Sequence, residues 1–256
     1  MFGARIISIL GPILAFSVLS WLFKSPEYFY YLLFSALAII SLSWWSLFKA
    51  SKSEKTIKER FIYLVFSLLL ILSSQGLFIM LETPLMKWGV WLLGFALTLW
   101  YFNNLFKRLF NRNLFIFKEE ALLFNLYEAV IIFLTVSTLF GFKDFISYNL
   151  GYLFLVLACI VFFLVWGNLH VSGLKKGEEW IYALLTCLIT AELFWAMAAL
   201  SLAFYLKGII FAFVYLIFLS YRLMIADVSF NRKYFKHYVV FSLILILAIL
   251  LTAKWF

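Results

Sequence analysis

The stretch "ISYNLGYLFLVLACIVFFLVW", Ile146 to Trp166, runs twenty-one residues without a single charge. A helix of that length rises roughly 30 Å, which is the thickness of a bilayer's hydrocarbon core. Eight more apolar runs of similar length surround it: Ile6–Phe23, Tyr28–Phe48, Phe61–Leu81, Met86–Phe106 and Ala121–Phe140 before it, and Trp180–Leu200, Ala203–Met224 and Tyr238–Ala253 after it. Composition agrees. Of 256 residues, 66% are apolar and 13% charged, against about half and a quarter in soluble domains. One core could not hide that much apolar surface, so lipid is the expected solvent. Short alternating strands, the mark of a membrane barrel, are absent. The expectation is an all-helical integral membrane protein of nine spans. The first run is too long, and lacks a small-residue cleavage site before "KSPEYF", to read as a removable signal.

Charge orients the spans. The N-terminus and every second loop carry 16 of the 21 Lys and Arg residues, in clusters such as Lys49–Arg60, Lys107–Lys118 and Arg222–Lys236. The other side holds Lys24, Lys87, Lys143, Lys207 and Lys254. Basic loops stay in the cytoplasm, which places the N-terminus inside, the C-terminus outside and the protein in the plasma (inner) membrane. The net charge of +9 is thereby accounted for by topology. The partners it predicts are the bilayer itself and anionic headgroups at the cytoplasmic face, not nucleic acid.

The chain also repeats itself. "FNRNLFIFK" at Phe110–Lys118 returns as "FNRKYFK" at Phe230–Lys236. With an offset of 119 residues, "FK" at Phe23–Lys24 meets "FK" at Phe142–Lys143, "ERFIY" at Glu59–Tyr63 meets "EEWIY" at Glu178–Tyr182, and Gly89 meets Gly208. This predicts a first four-helix repeat over 1–109, a second over 110–229, and a ninth helix over 230–256 that begins a truncated third copy. Four spans per unit make the repeat parallel rather than inverted.

Polar residues inside the spans are the functional candidates. Glu128 lies roughly 12 Å beyond Glu120 along a helix, and Glu192 roughly 20 Å beyond Glu179. An ionised carboxylate at such depth is costly, so each is expected to be protonated, paired, or turned toward an interior. Arg222 is the nearest cation, close to a span end. The neutral candidates to partner them are Gln75, Asn125, Tyr127, Ser73, Ser74 and Thr190. Gln75 falls within two residues of the Glu192 position in the repeat. As packing glue, each contact would contribute about 1 kcal/mol or less; as a path for a proton or small solute, both carboxyls would be needed.

Two further stretches, "KEEALLFN" (Lys118–Asn125) and "WGNLH" (Trp166–His170), resemble motifs of the intramembrane CAAX-type proteases of the CPBP family. That family carries a paired-glutamate motif, Glu-Glu-x-x-x-Arg, then Phe-x-x-x-His, then a third motif opening with His. The resemblance implies Glu119 or Glu120 as base for a water, with His170 and His237 helping to hold it. The sequence departs from the pattern: Phe124 stands in place of the arginine, Trp166 in place of the phenylalanine, and Phe241 follows His237 at the fourth position. The plainer reading of Glu119 and Glu120 is a helix start, where acids favour the N-terminus.

Cys159 and Cys187 are isolated in separate runs, and only two histidines occur, so neither a metal site nor a cofactor is expected. With 11 Gly, 3 Pro and 32 Phe, the helices read as bulky and unbroken, more a fixed bundle than a rocking carrier. The leading expectation is a non-catalytic bundle that binds protein subunits or acts as a scaffold in a membrane assembly. A carrier using Glu128 and Glu192 is the second, and a divergent membrane protease the third.

Overall fold

The computed structural model describes residues 2–51, 57–110, 117–171, 178–226 and 232–252. The side chains of residues 57, 117–124, 171, 178, 220–226 and 232–238 lie outside that description, as do the basic loops at 52–56, 111–116, 172–177 and 227–231. The described residues form helix and no strand. The α-helices are α1 (Phe2–Ser20), α2 (Phe29–Ser51), α3 (Ile57–Met80), α4 (Pro84–Phe110), α5 (Phe117–Ile146), α6 (Leu150–Val171), α7 (Glu178–Ala198), α8 (Phe204–Ala226) and α9 (Arg232–Thr252). Seven of them, α1 to α7, are long and apolar enough to cross a membrane. Phe204–Leu219 and Val239–Thr252 are shorter apolar stretches within the described residues. The chain divides into two units, Met1–Glu120 and Ala121–Phe256.

In the first unit, α1 packs on α2 and α4, and α3 on α2 and α4. The buried stripe of α1 is Ala4, Ser8, Gly11, Pro12, Ala15, Phe16 and Leu19, a run dominated by small residues at helical spacing. Small side chains let two backbones approach where lipid supplies no hydrophobic drive. A Cβ on Gly11 would come within 2.7 Å of the Ser43 Cβ on α2, so only glycine fits at that crossing. A second close approach sets Gly94 of α4 beside Ser74 of α3, where an added Cβ would lie 3.1 Å from the serine Cβ, and beside Phe16 of α1. Pro12, the proline inside a span, is carried within the continuous α1.

Aromatic rings fill the spaces between these crossings. Phe16 meets Trp91 and Phe95 edge-on or tilted at 5.8 and 5.6 Å, and Phe23 stacks on Trp88 at 4.1 Å. Cations cover rings at both ends of the unit. Lys87 lies over Phe78 at one end, while Arg60 lies over Phe48 and Arg108 over Tyr63 at the other. Tyr101 of α4 ties in by donating its hydroxyl to the Tyr63 carbonyl of α3, 2.7 Å away.

In the second unit α5 is buried on nearly every side from Tyr127 to Gly141. Its contacts radiate to three helices. Phe140 stacks on Phe194 of α7 at 4.6 Å, Phe145 meets Phe204 of α8 at 5.6 Å, and the polar groups described below reach α6 and α8. Around it α6 packs on α7, α7 on α8, and α8 on α9. Gly208 of α8 sits against Ser137 and the Phe133 carbonyl of α5, so closely that a Cβ would overlap the serine hydroxyl. Gly89, its match at an offset of 119, has open space around it. The α5–α6 turn is held by Ser147 at φ 56°, and by Asn149, whose side chain accepts a 2.8 Å bond from the Gly151 N–H. Of the repeated turns, Asn111, Arg112, Phe230 and Asn231 lie outside the described residues.

Candidate functional site

The second unit closes around a carboxyl group. Glu128 stands on α5 eighteen residues before its end, roughly 27 Å along the axis, and is fully buried. Tyr215 of α8 donates its hydroxyl to Glu128 Oε1. Asn168 of α6 donates to Glu128 Oε2 at 2.5 Å and, with the same amide nitrogen, to Asn125 Oδ1 at 2.9 Å. Asn125 and Glu128 are three residues apart and so share one face of α5. Three helices are therefore joined through a single acceptor.

Each group in this cluster has a role that its chemistry permits. A carboxylate offers up to four acceptor sites, a primary amide two N–H donors, and a tyrosine one O–H. Both amide hydrogens of Asn168 and the Tyr215 hydroxyl find acceptors. Asn125, Asn168 and Tyr215 are all at least nine-tenths buried. In a low-dielectric interior such satisfied networks are strong and leave little freedom, whereas an unpaired group there is expensive.

The other sequence candidates divide sharply. Tyr127 is buried beside Glu128 on α5. Glu192 is exposed, on the outward stripe of α7 with Ile181, Leu184, Leu188 and Trp195. It has no hydrogen bond or ion pair among the described residues. Glu128 and Glu192 are thus not brought together: one carboxyl is sealed inside the unit, the other faces out. Thr190 bonds back to the Thr186 carbonyl of its own helix at 2.8 Å. Ser73 and Ser74, in the first unit, likewise donate to the Leu69 and Ile71 carbonyls of α3. Gln75 is fully buried, and neither end of its amide has a hydrogen-bond partner among the described residues.

The side chains of Glu119, Glu120, Arg222 and His237 lie outside the described residues. His170 is described. Its Nδ1 lies 3.2 Å from Oε2 of Glu179 at the start of α7, and its ring stacks on Trp166 at 5.6 Å. Among the described residues no group of three or more His, Cys, Asp or Glu is placed to hold a metal ion. Cys159 and Cys187 are free thiols.

At the far end of α5 a second polar group joins the helices. Lys143 donates to the carbonyl of Ala198, the last residue of α7, at 2.8 Å, a cation on a helix C-terminus where the macrodipole favours it. Lys207 of α8 is almost wholly buried, 3.6 Å from Asp144 and over the Phe140 ring. In the sequence, Lys143 and Lys207 show only as single cations beside the ends of apolar runs.

No protein-family model, curated protein or solved structure matches the chain. Its fold and its polar clusters therefore rest on their own geometry.

Proposed function

We propose that this protein is a multi-pass subunit of a membrane assembly that binds another protein through the outward face of α7, with Glu192 as the polar anchor. The observation that carries this is the exposure of Glu192, unpartnered among the described residues and flanked by bulky apolar side chains. It lies six residues from the end of α7, roughly 9 Å from the helix terminus. An ionisable side chain facing lipid costs on the order of 2–3 kcal/mol near the centre of a span. A partner helix that offers a donor removes that cost, and the surrounding Leu and Trp side chains supply the packing.

The same charge pattern that predicts a cytoplasmic N-terminus supports residence in a plasma (inner) membrane, with anionic headgroups against the basic loops. A carrier would need both carboxyls on one path, and their opposite exposures speak against it. In the protease reading His170 would help hold a water; its Nδ1 lies 3.2 Å from Glu179 Oε2, and the side chains of Glu119 and Glu120 lie outside the described residues.

The test is site-specific photo-crosslinking in native membranes. A photoreactive residue at position 188 or 192 is expected to give one protein adduct of defined mass. The same residue at 155, exposed on α6, should give lipid adducts alone. Glu192→Leu should abolish co-isolation of the captured protein in mild detergent. Lipid adducts at all three positions would refute the proposal.

A further inference from the structure

We propose that the occupant of the outward α7 face is a second copy of this chain, with Glu192 of one copy set against Glu192 of the other across a two-fold axis along the membrane normal. This deepens the reading of that face as a protein-binding surface, and rests on it.

The two sides of α7 have different tasks. Ala183, Thr190, Phe194 and Met197 are buried, Phe194 stacks on Phe140 of α5 at 4.6 Å, and the Cys187 thiol donates to the Ala158 carbonyl of α6 at 3.5 Å. On the opposite side Ile181, Leu185, Leu188, Glu192 and Trp195 are exposed. They follow one another at intervals of four, three, four and three residues. That is the repeat of a helix seam. Side chains spaced by about 3.5 residues stay opposite a partner helix through a left-handed crossing of about 20°, the usual one in membrane bundles.

Glu192 decides what the partner is. An acid on a lipid-facing surface needs a group at its own depth that can hydrogen-bond to it. Glu179 has His170 within the unit, and Glu128 has Asn168 and Tyr215. Glu192 has no such group among the described residues of its own copy. The Lys and Arg residues of the chain sit in loops and near the ends of apolar runs, so a second copy brings no cation to this depth. What it brings is Glu192. Copies inserted in one orientation carry that residue at one depth, and a two-fold axis sets like positions of a seam against each other. A carboxyl is its own complement. Protonated, it offers one O–H donor and a carbonyl acceptor, so two of them satisfy each other and remove the cost that each carries alone in lipid. Apolar packing gives little drive between helices in lipid, and a polar pair within the seam supplies both attraction and register.

Two differently tagged full-length copies are expressed together, and one tag is captured from membranes in mild detergent. The other tag should come with it. Glu192→Gln, whose amide is likewise donor and acceptor, should keep co-capture close to the parent level. Glu192→Leu should lower it about tenfold, the loss of one interhelical polar pair. Glu192→Lys sets donor against donor and should lower it at least as far. Each variant must elute and show helix content like the parent, and a cysteine scan reads the seam with Glu192 intact. In a background lacking Cys159 and Cys187, Leu185→Cys, Leu188→Cys and Trp195→Cys should each form a disulfide-linked dimer under mild oxidation. Leu155→Cys, exposed on α6, should not. The photo-adduct at position 188 separates the two readings, since its mass should be that of two copies. An adduct with a different protein would overturn the homodimer and leave α7 as a docking face; lipid adducts alone would overturn both. No co-capture, an unaffected Glu192→Leu variant, or equal dimer yields at positions 155 and 188 would each overturn the homodimer.

Discussion

Glu128 shows how far one residue can be read before its neighbours are known. An acid eight positions into an apolar run has to find a partner, and that much follows from the cost of burying charge. Which partner it finds does not follow. Asn168 and Tyr215 are 40 and 87 residues away along the chain, and serine, threonine and glutamine side chains were equally plausible donors. Several of those bond to carbonyls of their own helices instead, a local option always open to short hydroxyls. The cluster predicts a clear order of stabilities. Glu128→Ala would leave the Tyr215 hydroxyl and an Asn168 N–H buried without this acceptor, and is expected to cost about 1–2 kcal/mol. Glu128→Gln keeps a carbonyl in place and is expected to cost less than half as much. Unfolding midpoints in a fixed detergent would measure the difference. Equal midpoints for the Ala variant and the parent would show that the network does not hold the unit together.

At the scale of elements, the crossings are set by small residues, and bulky rings fill what those crossings leave. Glycine scarcity suggested few close helix contacts, yet Gly11, Gly94 and Gly208 each stand at one. Counting glycines cannot show this, because a single glycine at the crossing point is enough. Gly208 and Gly89 make a matched test, since an offset of 119 residues aligns them and their surroundings differ. Gly208→Ala would press a methyl group against the Phe133 carbonyl, 3.1 Å away. Backbone cannot yield as a side chain can, so a loss of about 1–3 kcal/mol is expected. Gly89→Ala enters open space and gains helix propensity, so stability should hold or rise by up to about 1 kcal/mol. Thermal unfolding of the two variants side by side decides it; similar losses in both would mean that the α5–α8 crossing is looser than the structure has it.

For the whole molecule, the basic-loop alternation makes a prediction that needs no contact map. A cysteine placed at Ser53 or Gly173, in a cysteine-free background, should react with an impermeant maleimide only after the membrane is opened. One placed at Glu82 should react in intact cells. Reversal of that pattern would invert the orientation. The halves and the helix count belong to this scale as well. The landmarks at an offset of 119 suggested the halves and the apolar runs suggested nine spans; among the described residues seven helices are long and apolar enough to cross a membrane, and the division at Glu120–Ala121 arises from which helices pack together.

The sequence by itself determined the solvent and the helices. Runs of about 20 apolar residues cannot be hydrated and cannot leave backbone groups unpaired in lipid, so helix is the form open to them. It also singled out Glu128 as an acid within a span, and the basic loops carry the expectation of a cytoplasmic N-terminus, since both depend on composition along the chain. Only the tertiary structure decided which way each side chain points. In water an amphipathic pattern reveals the inner face of a helix, because the outer face must be polar. In lipid both faces are apolar. Nothing in "LITAELFW" therefore distinguishes an outward Glu192 from an inward one, and nothing in "FNLYEAV" foretells that Glu128 turns to the centre of its unit. Packing makes that choice, through shapes and close contacts that exist only once the helices have met.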